Sequence, residues 1–369
     1  MDREIVNLLK KLVNLESFHG KEKGILKFLE SYLKSAGFHV SRFPVDRYSY
    51  NILARTGTGN PVLCFNAHAD TVFPSGKSKP EARVLQKRVY GLGACDNKAG
   101  LAAVITAATS FIGRKFSGTV DLLISGDEEW GARGVDSALR QGYRCSMAVV
   151  AEPTDMGIVS AQAGLLFLEL ASKGLAVHGS APELGVNAVK RMNEAVSRLE
   201  KLAGKLRPHF LVGPASVNLG AIRAGEIEHL PNRVPDFCRA GVDLRFPPGQ
   251  TSRKVLFSVV RELNRLEWSE DLTVKVTKQA EALTEKKNSK LVKLLQSACK
   301  KVTGKIPKIS GGRGWTEASV FGSIPSIEVA VFGPGRLTEA HSSDEYVDLA
   351  PVVKSAGIYK CLAESVMEI

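Results

Sequence analysis

Apolar residues recur three and four positions apart at Ile5, Leu8, Leu9 and Leu12, and again at Ile25, Phe28, Leu29 and Leu33, a spacing that predicts two amphipathic helices. Short apolar runs over 61–66, 119–124, 147–151 and 326–332 end abruptly in polar residues and read as buried strands, with a helix over 97–111 between the first two. This alternation over 1–162 predicts a helix-flanked mixed sheet. The next stretch has a different rhythm: strand 165–171, helix 186–202, strands 216–222 and 239–246, helix 251–266 and strand 272–276. That order is the β-α-β-β-α-β, ferredoxin-like unit. From about residue 281 the first pattern returns, opening with a helix over 288–302. The fold class is therefore α/β, with a discontinuous domain over 1–162 and 281–369 and an inserted domain over 163–280.

Each core strand delivers acid or histidine residues just past its last apolar position, where open α/β sheets place ligands. His68 and Asp70 follow the first run, Glu128 and Glu129 the second, and Glu152 the third. Asp96 precedes the 97–111 helix, and His341 lies in the loop after the last run. Residues two apart in extended chain face the same way, so Asp70 is expected to accept the second ring proton of His68. Adjacent Glu128 and Glu129 are expected to point apart, one toward a metal and the other holding a proton. Each signal has a plainer reading: a surface His-Asp pair, acids in a first helical turn, an N-cap at Asp96, a turn at Glu152. Their joint occurrence at successive strand ends favours a site, and two imidazoles with several carboxylates form a donor set suited to a pair of zinc-like ions.

The blocks HADT, GACDNKAG, DEEWGARG, EPTD, HGSAPELGVNA and AHSSDEYV, in this order, resemble the di-zinc amidohydrolases and exopeptidases. That family includes acetylornithine deacetylase, succinyl-diaminopimelate desuccinylase, aminoacylase and glutamate carboxypeptidase. The resemblance implies a zinc exopeptidase-like catalytic domain carrying an inserted lid and dimerisation domain. It implies one metal site at His68, Asp96 and Glu152 and a second at Asp96, Glu129 and His341, with Asp96 bridging. Glu128 is then the general base and Asp70 the partner of His68. It also implies that His178 reaches the partner subunit's site in a homodimer, and that Asn232 and Arg245 bind substrate. The likeness loosens at SGGRGWTEAS, where Gly311 and Gly312 are retained as backbone contacts to substrate but Arg313, Gly314 and Trp315 precede Thr316 and Glu317. Gly333, Pro334 and Gly335 are expected to complete that rim.

Composition narrows the setting. With 44% hydrophobic and 24% charged residues in 369 positions, the chain is globular and large enough for two cores. No apolar stretch reaches membrane-spanning length, and the charged first helix is unlike a secretory leader, so a cytoplasmic protein is expected. The six cysteines lack CxxC spacing and read as reduced and buried, with Cys95 singled out by its position beside Asp96. The net charge of +12 comes partly from runs such as Lys77, Lys79, Arg83, Lys87 and Arg88, which read as solvated faces. An acidic carrier protein is an alternative partner for these faces, and no nucleic-acid motif accompanies the charge. The expected activity is hydrolysis of an N-acyl amino acid amide with two divalent ions, zinc first and cobalt or manganese as alternatives. A carboxypeptidase or dipeptidase acting on short peptides is the alternative, and a non-catalytic metal-binding interaction protein stands further off.

Overall fold

The computed structural model describes residues 2–225 and 232–369. Helices α1 (Asp2–Val13) and α2 (Lys23–Ser35) lead into strands β1 (His39–Pro44), β2 (Tyr50–Thr58) and β3 (Val62–His68). Short strands β4 (Arg83–Leu85) and β5 (Arg88–Tyr90) precede α3 (Lys98–Thr109), β6 (Gly118–Ser125), α4 (Gly134–Arg140), β7 (Met147–Val150) and β8 (Ile158–Gln162). Next come β9 (Gly164–Lys173), α5 (Ala188–Lys205), β10 (Ser216–Ala224), β11 (Phe237–Phe246), α6 (Ser252–Leu263) and β12 (Leu272–Ala280). The chain closes with α7 (Lys290–Thr303), β13 (Ile309–Gly312), α8 (Ala318–Gly322), β14 (Glu328–Val331), β15 (Tyr346–Asp348) and α9 (Leu349–Val366). Two compact units result: Met1–Ser160 with Glu285–Ser310 and Thr316–Ile369, and Ala161–Thr284 with Gly311–Trp315.

The larger unit is built on a mixed eight-stranded sheet in the order β1-β2-β6-β3-β7-β14-β8-β13. Its centre is parallel: β3 pairs with β6 and β7, and β14 with β7. Strands there are buried on both faces, which explains their near-continuous apolar runs. Their C-terminal ends share one edge of the sheet, so residues following β3, β6 and β7 are delivered side by side. Helix α3 is apolar almost all round and packs against α1, α9 and β3. Gly100 permits this: a Cβ there would stand 2.1 Å from the Ala151 carbonyl oxygen, just before Glu152. A three-stranded sheet, β15-β5-β4, was not foreseen, because three-residue strands are too short for a period-two pattern.

The smaller unit is an antiparallel sheet in the order β10-β11-β9-β12, the ferredoxin-like arrangement. Buried and exposed positions alternate along β11, and Leu166, Leu168, Leu170, Val242 and Leu244 share a core with Met192 and Leu199 of α5. Helix α5 begins at Ala188, two residues later than its apolar spacing suggested, because the Asn187 side chain caps it by accepting from Val189 and Lys190 amides. Thr251 caps α6 in the same way. Among the described residues, no helix is long and apolar enough to cross a membrane.

Candidate metal centre

His68 is the last residue of β3, and its ring is pinned from behind. Nδ1 lies 3.0 Å from the Asp70 carbonyl oxygen and donates to it, so Nε2 faces the centre, 3.0 Å from Asp96 Oδ1 and 3.7 Å from Glu152 Oε1. The acceptor is thus the main-chain oxygen of Asp70 and not the expected carboxylate. Asp70 Oδ1 stands 3.7 Å from Nδ1, because the chain turn after β3 brings the main-chain oxygen of Asp70 closer to the ring. The other carboxylate oxygen, Oδ2, accepts the Glu129 amide at 2.9 Å, so Asp70 braces the turn that carries the two glutamates.

That turn also revises the expectation that Glu128 and Glu129 diverge. Asp127 has a φ of 63°, and the segment after β6 is a turn rather than extended chain. Ligand atoms of His68, Glu128 and Glu129 consequently lie within 4.8 Å of one another. Neither glutamate belongs to a first helical turn, since α4 starts at Gly134. Asp96 is likewise not the cap of α3. The cap position is Asn97, whose side-chain amide instead donates to Glu152 Oε1 at 2.9 Å.

Asp96 divides its oxygens between the two histidines: Oδ1 faces His68, and Oδ2 lies 3.4 Å from His341 Nε2. His341, in a loop with φ 56°, also meets Glu129 Oε1 at 2.8 Å. Two overlapping groups follow, His68-Asp96-Glu152 and Asp96-Glu129-His341, each with its donor atoms within 4.8 Å. The first is buried, whereas the His341 side chain is 49% exposed.

The electrostatics match a cation-binding cluster. Burial, then the charge of Asp96, raises the Glu152 carboxyl to about 8, and burial with Glu152 and Glu129 nearby pushes Glu128 well above the usual range. The hydrogen bond with Glu129 raises the His341 imidazole to about 9. Burial opposes charge on His68, yet the hydrogen bond to Asp96 and the charges of Glu152 and Glu128 carry its pKa well above the ordinary value. Glu128 and Glu152, crowded by neighbouring carboxylates, hold protons tightly for the same reason that the cluster suits divalent ions. The oxygen and nitrogen donors present therefore fit two such ions.

Two carboxylates absent from the expected set complete the surroundings. Buried Glu345 accepts amide protons from Gly93, Cys95 and Asp96 at 2.8, 2.9 and 2.9 Å and so fixes the loop that presents Asp96. Buried Glu317 accepts from Asn66, Ser125 and the Val135 amide, behind the strand ends. A fully buried lysine, Lys98, donates to the Leu15 carbonyl at 2.9 Å, and burial lowers its pKa to about 7. Cys95 is buried with Sγ 3.3 Å from the Arg336 carbonyl, and burial drives its thiol pKa far up, which suits packing rather than attack. Gly333 and Gly335 hydrogen-bond with the Thr154–Met156 stretch that follows Glu152.

In the smaller unit, His178 and Asn232 lie on hydrogen-bonded segments, the Gly179 amide meeting the Asn232 carbonyl at 2.5 Å. His178 Nδ1 is 2.7 Å from Ser180 Oγ. Residues 229–231 of the HLPNRVPD block lie outside the described residues. The Arg245 guanidinium is engaged by its neighbour Asp243 through bonds of 2.8 and 3.1 Å and sits over Phe167. Gly311 and Gly312 form strand β13 rather than a turn. A Cβ at Gly311 would come 2.6 Å from the Leu211 main chain, so the glycine permits a close strand approach.

Strand-end carboxylates and histidines gathered for two cations on a helix-flanked sheet define a metallohydrolase. A model of Peptidase family M20/M25/M40 matches residues 64–365, and the chain belongs to this family, whose members act on C–N bonds. It is 30% identical to a putative [LysW]-lysine/[LysW]-ornithine hydrolase of Pyrobaculum aerophilum, covering 98% of this chain and 97% of that one. It is 27% identical to an acetylornithine deacetylase of Proteus mirabilis, covering 89% and 86%. In fold it resembles the M20 family metallo-carboxypeptidase Sso-CP2 of Sulfolobus solfataricus, with a TM-score of 0.84 and 17% identity over 99% of this chain and 100% of that one.

Proposed function

We propose that this chain hydrolyses the amide of N-acyl amino acids, in the manner of a deacetylase or desuccinylase. Two divalent cations, zinc first with cobalt or manganese as alternatives, would be held by His68, Asp96 and Glu152 and by Asp96, Glu129 and His341. The observation that carries this reading is the division of the Asp96 oxygens between His68 and His341, with Glu128 beside them. When bound, the cations supply Lewis acidity that polarises the amide carbonyl and makes water acidic. Glu128 is the general base: its buried, charge-crowded carboxylate has a raised proton affinity, suited to take a proton from water and pass it to the leaving amine. Asp70 positions both His68 and the glutamate turn. His178, offered from the partner subunit of a homodimer, donates to the carbonyl oxygen as it gains charge. Asn232 and the backbone at Gly311 and Gly312 orient the substrate, and Arg245 exchanges Asp243 for the substrate's α-carboxylate. The enzyme works in the cytoplasm.

The likeness to acetylornithine deacetylase supports a small acyl group. A second reading, hydrolysis of a [LysW]-lysine or [LysW]-ornithine conjugate, is favoured by the likeness to the hydrolase of that name, and the net charge of +12 would suit an acidic partner. Purified protein supplied with zinc or cobalt is to be assayed on acetylornithine, succinyl-diaminopimelate, a [LysW]-lysine conjugate, and C-terminal glutamyl peptides and dipeptides. Turnover of acyl amino acids above the peptides supports the proposal. Turnover of peptides alone makes the chain an exopeptidase. Tight metal binding without any hydrolysis makes it a non-catalytic metal protein.

A further inference from the structure

A second set of donors lies outside the centre described above. The loop between α1 and α2 carries His19 and Glu22, and the turn after β6 carries Asp127. One ligand atom from each lies within 4.8 Å of the others. Glu22 and Asp127 are each 1% exposed. Neither Glu22 oxygen has a hydrogen-bond partner, and neither does His19 Nδ1. Buried polar groups are ordinarily satisfied, so the unpartnered Glu22 carboxylate and His19 Nδ1, drawn together beside Asp127, call for an occupant.

The spacing indicates what that occupant is. His19 Nδ1 stands 3.8 Å from Asp127 Oδ1, too far for a hydrogen bond but within the span of two ligands on one ion with bonds of about 2.0–2.2 Å. Asp127 Oδ2 accepts from Arg133 Nε at 2.5 Å, while Oδ1, which faces the cluster, accepts only the longer bond from the Gly131 amide at 3.2 Å. The His19 ring is held in place by stacking on Trp130, with centroids 4.9 Å apart, and by an edge contact with Tyr48. Burial, reinforced by Asp70, Asp127 and Asp46 and only partly offset by Arg133, drives the Glu22 carboxyl up to about 8.

We infer that His19, Glu22 and Asp127 form a third cation site suited to a divalent first-row ion such as zinc or manganese. One imidazole and two carboxylates are a hard-to-borderline donor set, and because Arg133 already pairs Asp127, the charge the ion would offset is chiefly that of Glu22. The ion ties the loop before α2 to the turn that bears Glu128 and Glu129, so its role is structural. The inference does not rest on the reading of the main centre.

The test is equilibrium dialysis of the full chain against zinc, with bound metal counted by elemental analysis. His19→Ala, at a partly exposed position that tolerates truncation, is expected to bind one zinc per chain fewer than wild type while retaining hydrolysis. The isosteric Glu22→Gln is expected to lose the same equivalent. His341→Ala should lose an equivalent of its own and keep the one that depends on His19, so the double variant loses both. Identical zinc isotherms for wild type and His19→Ala overturn the third site. An unchanged isotherm for His341→Ala would instead count against the main centre, which keeps the two failures apart.

Discussion

Replacing Glu345 by alanine removes the acceptor of three main-chain amides at once, those of Gly93, Cys95 and Asp96. The carboxylate is buried, and each donor left unsatisfied costs about 1–3 kcal/mol. Water entering the space vacated by the side chain can satisfy one or two of them, so one or two stay unsatisfied and the expected loss is about 1–6 kcal/mol. At about 2–4 °C per kcal/mol, the melting temperature should fall by roughly 2 °C or more. Glu345→Gln separates shape from charge. Its amide oxygen can keep the Cys95 and Asp96 bonds, which share Oε1, while its NH2 opposes the Gly93 amide. Burial raises the Glu345 pKa, so removing the charge also relieves a desolvation cost, and glutamine should do less than half the damage of alanine. Because the Asp96 amide is one of the three donors, zinc retention on dialysis should fall in parallel with stability in the alanine variant. Urea unfolding and metal analysis measure both. A loss below about 1 kcal/mol in Glu345→Ala, with zinc retained as in wild type, would refute the assignment of Glu345 as the support of the Asp96 loop.

Glu128→Gln is expected to keep its metal and lose about 10²–10⁴-fold in kcat, the usual range for removing a general base; a metal-replete variant near wild-type kcat excludes Glu128 from the proton transfer. Gly100→Ala ordinarily stabilises a helix by about 1 kcal/mol, but here the new methyl would strike the Ala151 carbonyl, so a lower melting temperature is expected and a higher one contradicts the packing described. Lys98 is held at about 7 against an ordinary 10.5, so the unfolded chain binds the extra proton between those values. Stability from this residue is therefore lost as pH falls through about 7 and regained up to 10.5, and urea unfolding at pH 7 and 9 should show a shallower rise in Lys98→Met than in wild type. Arg245→Ala should raise KM for carboxylate-bearing substrates more than it lowers kcat, and an unchanged KM removes Arg245 from substrate binding.

The α/β class and the ferredoxin-like insert were legible because buried parallel strands and amphipathic helices leave unmistakable periodicities. The strand-end acids and histidines stood out for a related reason: polar residues just past an apolar run such as 61–66 have few structural uses. What local pattern could not supply was direction. Glu128 and Glu129 were expected to diverge, and only the left-handed φ at Asp127 shows how the turn brings both to one centre. Glu345 and Glu317 were missed because their partners are amides and side chains far away in the chain, and an acid in a loop carries no mark of burial. Gly100 did leave a signal, an isolated glycine inside a strongly helical stretch, which marks close approach of another backbone.

Glu345 and His341 share one loop, and both reach back to the segment at Asp96 across the whole inserted unit. During synthesis, the strand ends bearing His68, Glu128 and Glu152 emerge long before that loop exists, and until it arrives three amides beside Asp96 lack their acceptor. Assembly of the centre is thus deferred to the last tenth of the polypeptide, and any chain cut short before it carries a half-built, unbraced set of donors. Under the proposed ligand assignment, retention of the cation that depends on His341 reports that the two distant parts of the polypeptide have met, which makes filling of that position a late marker of maturation.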